Sequence, residues 1–142
     1  MRPYFSEMTR PHQAALPGRH ILVIEDDFLV GQVICEMLEE EGATVLGPIG
    51  WLEEARAFIE DHVGDFDSVL LDINLHGQKS YALAEVLTER GVGFVFMTGY
   101  SGHTLEGPYR SFPRCEKPVR RSTLLAAITA ASAGAASEKV KT

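Results

Sequence analysis

The residues of this chain best suited to chemistry are acids placed at the ends of apolar runs. Glu25, Asp26 and Asp27 follow directly on Ile21-Leu22-Val23-Ile24, and Asp72 follows directly on Val69-Leu70-Leu71. Thr98 closes a further run, Gly93-Phe94-Val95-Phe96-Met97, and Lys117 stands after a weaker one at Arg114-Cys115-Glu116. Carboxylates at close range repel one another unless a cation relieves them, and hard oxygen donors of this kind select Mg2+ completed by water and phosphate. An ammonium and a hydroxyl beside them suit the equatorial oxygens of a phosphoryl group. In that company Asp72 becomes a nucleophile able to form an acyl phosphate. Taken singly, each part has a plainer explanation. An Asp at a strand end is a turn or cap former, a Glu-Asp-Asp run satisfies a helix N-terminus, and Thr-Gly and Lys-Pro are ordinary ways of leaving a strand or entering a helix. What outweighs these is their arrival, in order, at four strand ends.

The elements that must deliver them are legible from hydrophobic periodicity. Runs such as Ile21–Ile24, Val69–Leu71 and Phe94–Met97 are too apolar to be half-exposed, so they read as strands buried on both faces. Val30, Val33, Ile34, Met37 and Leu38 recur at helical spacing up to Gly42, with Asp27 placed to cap the first turn. Thr44–Gly47 is expected as a short second strand ended by Gly47 and Pro48, and Leu52, Ala55, Phe58 and Ile59 as a second helix closed by Gly64. A third helix is expected from Ser80 to Arg90, with Gly91 as its stop. Between Gly99 and Pro113 the glycines and prolines predict a fourth helix that is short, irregular or absent. The final helix is expected over Arg120–Ala131. This alternation gives an α/β fold, a doubly wound parallel sheet of five strands, whose carboxyl ends border the ligand crevice.

A chain of 142 residues suits one domain. The reading divides it into a flexible N-terminal leader (1–19), the domain itself (20–132) and a flexible C-terminal tail (133–142). Because the chain stops soon after the last expected helix, no output domain is expected. No apolar run approaches the roughly 18 residues of a membrane span, and the first twenty residues lack the apolar core of a secretory signal. Thirteen basic against 20 acidic residues leave a charge of -7 without a basic stripe, so neither nucleic acid nor membrane is expected as a partner. Cys35 and Cys115 lie far apart with no metal-ligand spacing, as reduced core residues of a cytoplasmic protein would.

Taken together, Ile24-Glu25-Asp26-Asp27, Leu71-Asp72-Ile73-Asn74, Met97-Thr98-Gly99 and Glu116-Lys117-Pro118 resemble the receiver domain of two-component response regulators, over His20 to Ala131. The resemblance implies the flavodoxin-like receiver fold, with Asp72 as phospho-acceptor. It also implies a Mg2+ site of Glu25, Asp26, Asp72 and the backbone carbonyl of Asn74, with Asp26 a direct ligand. Thr98 becomes the switch hydroxyl, and Lys117 the phosphate-pairing lysine with a cis bond to Pro118. Phe94–Tyr100 is similar to the motif of the "FAT GUY" receivers, with Met97 where that motif has Ala. Those are stand-alone regulators associated with HWE-type histidine kinases. One position departs: three residues before the lysine, where many receivers carry a switch aromatic, stands Arg114. Order in the Gly99–Pro113 loop, with Tyr100 or Phe112 packing differently, is expected to take over that role.

The resemblance thus implies a single-domain response regulator, a monomer or weak dimer. It would accept a phosphoryl group from a histidine kinase in a Mg2+-dependent step, and signal to a downstream protein or phosphotransfer partner. It would be a phospho-accepting signalling domain with self-catalysed transfer and autodephosphorylation rather than an enzyme. The rivals are a haloacid-dehalogenase-type phosphohydrolase and a pseudo-receiver that binds without phosphorylation. The first lacks its general acid, because Asn74 stands where that family has a second Asp, and the complete set of acid, Asp, Thr and Lys weighs against the second. Trp51 and the leader acquire no role.

Overall fold

The computed structural model of the chain describes residues 13–99 and 105–141. Five parallel strands form the central sheet: β1 (His20–Ile24), β2 (Thr44–Ile49), β3 (Ser68–Asp72), β6 (Gly93–Thr98) and β7 (Arg114–Glu116), in the order β2-β1-β3-β6-β7. Strands β4 (Asn74–Leu75) and β5 (Gln78–Lys79) make a small antiparallel hairpin beyond the end of β3. The helices are α1 (Phe28–Glu40), α2 (Leu52–Asp61), α3 (Tyr81–Glu89) and α4 (Arg121–Lys141). Among the described residues between β6 and β7 there is a 3-10 turn, Gly107–Ser111, and no α-helix, in line with the density of glycine and proline there.

Alternation along the buried strands sorts the core into two layers. Leu22, Ile24, Val69, Leu71, Phe94 and Phe96 point to the face covered by α2, α3 and the 3-10 turn. Ile21, Val23, Leu70, Val95 and Met97 point to the other, covered by α1 and α4 through Ile34, Leu38, Leu124 and Ile128. Each such side chain, fully removed from water, contributes ~1.5–3 kcal/mol, which is what holds the two layers against the sheet.

Three boundaries differ from the sequence-based expectation. Strand β2 runs on to Ile49, through a cis Gly47-Pro48 bond, where Gly47 and Pro48 were expected to end it. It is an edge strand with an irregular register against β1, and proline is tolerated there because no partner needs its missing N–H. Gly47 has φ 98, and a Cβ on it would lie 2.5 Å from the Val23 carbonyl oxygen, so only glycine fits. The last helix continues past Ala131 to Lys141, in line with the high helix propensity of its alanines. At the other end, residues 1–12 lie outside the described residues, but Leu16 is buried against the α1–α4 layer. Its amide donates to the Glu41 carbonyl at 2.8 Å, and the Ala15 amide donates to Glu41 Oε1 at 3.0 Å. The docked chain therefore begins before β1.

Candidate functional site

Strands β1 and β3 are neighbours with Ile24 opposite Leu71, so the residues that follow each pair, Glu25 and Asp72, emerge side by side at the carboxyl edge. Asp26 completes the group, and one oxygen from each of the three carboxylates lies within 4.8 Å of the others. Lys117 arrives from two strands away. Its amide donates to the Thr98 carbonyl at 2.8 Å, which continues the β6–β7 pairing, and the Lys117-Pro118 bond is cis. Its ammonium then reaches Asp72 Oδ2 at 2.8 Å and Glu25 Oε1 at 2.5 Å.

The Glu25 side chain is wholly shielded from solvent. Its Oε2 accepts the Asp27 amide at 3.0 Å, whereas Oε1 has no hydrogen-bond partner. The Lys117 ammonium, 2.5 Å away, makes an ion pair with Oε1. Burial, reinforced by Asp72 and only partly offset by Lys117, pushes the Glu25 carboxyl up to about 7. Asp26 behaves oppositely. Burial works against its charge, yet the His76 amide, donating to Oδ2 at 2.8 Å, and Glu25 hold its pKa below the usual carboxylate value. Lys117 loses some of its charge preference to burial, but Asp72 and Glu25 outweigh that and raise its pKa.

Three close carboxylates, all hard oxygen donors, fit a small hard cation. Glu25, Asp26 and Asp72 are the side chains that would hold it.

The remaining sequence-singled residues are placed as follows. The Asn74 amide donates to Asp72 Oδ1 at 3.2 Å, so its backbone borders the acids. Thr98 is buried at the end of β6, and its hydroxyl donates to the Cys115 carbonyl at 3.5 Å rather than to a carboxylate. Asp27 stands apart from the acids and caps α1, accepting the Val30 amide at 3.1 Å. Arg114 is exposed and donates to the Arg110 carbonyl at 3.0 Å. Aromatic packing beside it comes from the 3-10 segment. Phe112 lies 5.5 Å from Phe94 and 6.3 Å from Phe96 between ring centres, and Tyr109 stacks on Tyr81 at 4.2 Å. Tyr100, the other residue expected to repack, lies outside the described residues.

Sequence reasoning missed Ser80, whose buried hydroxyl donates to the Asp72 carbonyl at 2.5 Å and fixes the exit of β3. It also missed the β4–β5 hairpin, whose signal was present. His76-Gly77, with φ 49 and 84, is a two-residue tip with both residues left-handed, a turn that normally advertises itself as Asn-Gly.

No family model matches the chain. Among solved structures it is similar to SdrG from Sphingomonas melonis Fr1, with 34% identity and a TM-score of 0.71 over 84% of this chain and 98% of that one. It is similar to the response regulator PhyR from Brucella abortus, with 26% identity and a TM-score of 0.73 over 89% of this chain and 53% of that one. A response regulator receiver domain protein from Clostridium thermocellum shares the fold, with 22% identity and a TM-score of 0.70 over 87% and 99%. A curated relative, the uncharacterized transcriptional regulatory protein YbdJ of Bacillus subtilis, is 27% identical over 78 residues, 55% of this chain. The match spans only 33% of that relative's length.

Proposed function

Because this chain belongs to the receiver domains of response regulators, we propose that it accepts a phosphoryl group on Asp72 from a histidine kinase, in a Mg2+-dependent step. The observation that carries this reading is the convergence of Asp72 with Lys117 at 2.8 Å and with Glu25 and Asp26 in one acidic group. In the reaction the phosphorus–nitrogen bond of a phosphohistidine breaks as a bond forms between phosphorus and an Asp72 carboxylate oxygen. The Lys117 ammonium, held between two acids, is preset to pair with a phosphoryl oxygen. A bound Mg2+ would supply charge neutralisation between the acids and the incoming phosphoryl group. Asn74 and Ser80 hold Asp72 in place through its Oδ1 and its carbonyl. The Thr98 hydroxyl must leave the Cys115 carbonyl to reach the phosphoryl group, and that exchange is the switch movement we assign to it.

The partner reading draws on the surface beside the mouth. Phe28, Leu29 and Val33 of α1 are exposed, and next to them a cavity of about 530 Å³ is lined in part by Lys117, Pro118 and Val119. An apolar shelf adjoining the acceptor suits the packed helices of a kinase phosphotransfer domain. The likeness of Phe94–Tyr100 to the "FAT GUY" motif favours an HWE-type kinase as that donor. Cys35 and Cys115, both free and buried, fit a cytoplasmic protein. Signalling then proceeds through protein–protein contact. Phosphotransfer from a panel of autophosphorylated histidine kinases tests the reading. One HWE-type kinase should label the chain rapidly, whereas sustained release of phosphate over many turnovers would favour a phosphohydrolase.

A further inference from the structure

Trp51 precedes α2 and His76 sits at the tip of the β4–β5 hairpin, yet their rings stack with centres 3.6 Å apart and planes 15° from parallel. The two residues belong to separate loops on the acidic side of the site. Trp51 is 57% exposed, so core burial does not account for its position. His76 has φ 49, the left-handed conformation that the two-residue hairpin tip requires. Turned that way, its amide donates to Asp26 Oδ2 at 2.8 Å. The Trp51 loop runs close to the backbone of the same residue, since a Cβ on Gly50 would lie 3.2 Å from Asp26 Cα. Asp26 is therefore bonded by one loop and lies close to the other, and the ring stack joins the two loops.

We infer that the Trp51–His76 stack is a clasp that presets Asp26 as a cation ligand, an inference that rests on the receiver reading above. Neither ring touches the cation. Both act through the His76 amide and the Gly50 backbone, so they are positioning residues. A hydrogen-bond partner that orients a metal ligand raises affinity by removing the freedom the ligand would otherwise lose on binding.

The test is Mg2+ titration of the full chain by calorimetry, with Trp51→Ala, Trp51→Phe and His76→Gly as variants. Glycine at 76 tolerates the left-handed φ, so that variant removes the ring while leaving the backbone free to keep its turn. Trp51→Ala and His76→Gly should each weaken Mg2+ about tenfold, the low end of what loss of such a partner costs. Trp51→Phe, which can still stack, should restore most of the affinity. Trp51 is the only tryptophan, so His76→Gly should also change its emission before any Mg2+ is added. Wild-type Mg2+ affinity in both ring-deleted variants, with only thermal stability reduced, would overturn the clasp and leave the receiver reading intact. Failure of the wild-type chain to bind Mg2+ would overturn both.

Discussion

Nζ of Lys117 stands 2.8 Å from Oδ2 of Asp72, although the two residues are 45 positions apart and β6 lies between their strands. The pairing of the Lys117 amide with Thr98 fixes the backbone here, and the side chain is 17% exposed and faces two acids. Removing it leaves Glu25 buried beside Asp72 with no cation to balance either.

Lys117→Ala is therefore expected to cost about 3 kcal/mol near pH 8, the low end for breaking a buried ion pair by removing one partner. At about pH 5 the loss should be smaller, because Glu25 then takes up a proton instead of remaining charged. Urea melts at the two pH values measure the difference, and an equal loss at both would contradict it. Lys117→Arg should not recover acceptor activity, since a planar fork does not occupy the space of a compact ammonium.

A cation held by Glu25 would be bound in a proton-linked way. The pKa of Glu25 is raised from 4.5 to about 7, chiefly by burial and next by Asp72, so the native chain holds a proton that the unfolded chain releases between those values. Through that window the stability due to this group falls as pH rises, and above about 7 it is gone. A cation favours the ionised carboxyl, so Mg2+ binding at about pH 6 should expel a proton and binding at about pH 8 should not. Calorimetry in two buffers of different protonation enthalpy should give buffer-dependent heats at the lower pH only. Buffer-independent heats at about pH 6 would contradict the linkage.

Residues 105–113, the described residues before β7, are held by aromatic contacts. Tyr109 stacks on Tyr81, and its hydroxyl donates to Glu85 Oε1 at 2.6 Å, while Leu105 is buried. Tyr109→Phe keeps the stack and loses one exposed hydrogen bond, so it should cost no more than about 1 kcal/mol. Tyr109→Ala loses the stack as well and should speed amide exchange over residues 105–113 well beyond the effect of the Phe variant. Equal exchange in both variants would show that the stack does not hold the segment.

Much of this was legible in the sequence because the signals were physical ones with few readings. Apolar runs such as Val69–Leu71, ended abruptly by an acid, have to be doubly buried strands, and their order fixed the sheet and the mouth at which Glu25, Asp26, Asp72 and Lys117 meet. The density of glycine and proline after Thr98 foretold a short, irregular or absent fourth helix, and the described residues there hold a 3-10 turn. What escaped was decided by tertiary contact. Pro48 reads as a stop until β2 is known to be an edge strand. Leu16 reads as leader until the α1–α4 layer offers it a seat. The Thr98 hydroxyl reads as a site group, but its orientation toward Cys115 depends on a neighbouring strand that no local pattern encodes. Trp51 and His76 are each unremarkable alone, and only the fold brings their rings together.

The central claim is that Asp72 is the nucleophile. Its direct test is to incubate the chain with a small phosphodonor and Mg2+, trap any acyl phosphate with borohydride, and map the reduced residue by peptide mass spectrometry. Homoserine is expected at position 72, dependent on Mg2+ and absent from the Asp72→Asn variant. An unmodified Asp72 in the wild-type chain, or labelling that persists in Asp72→Asn, would contradict it.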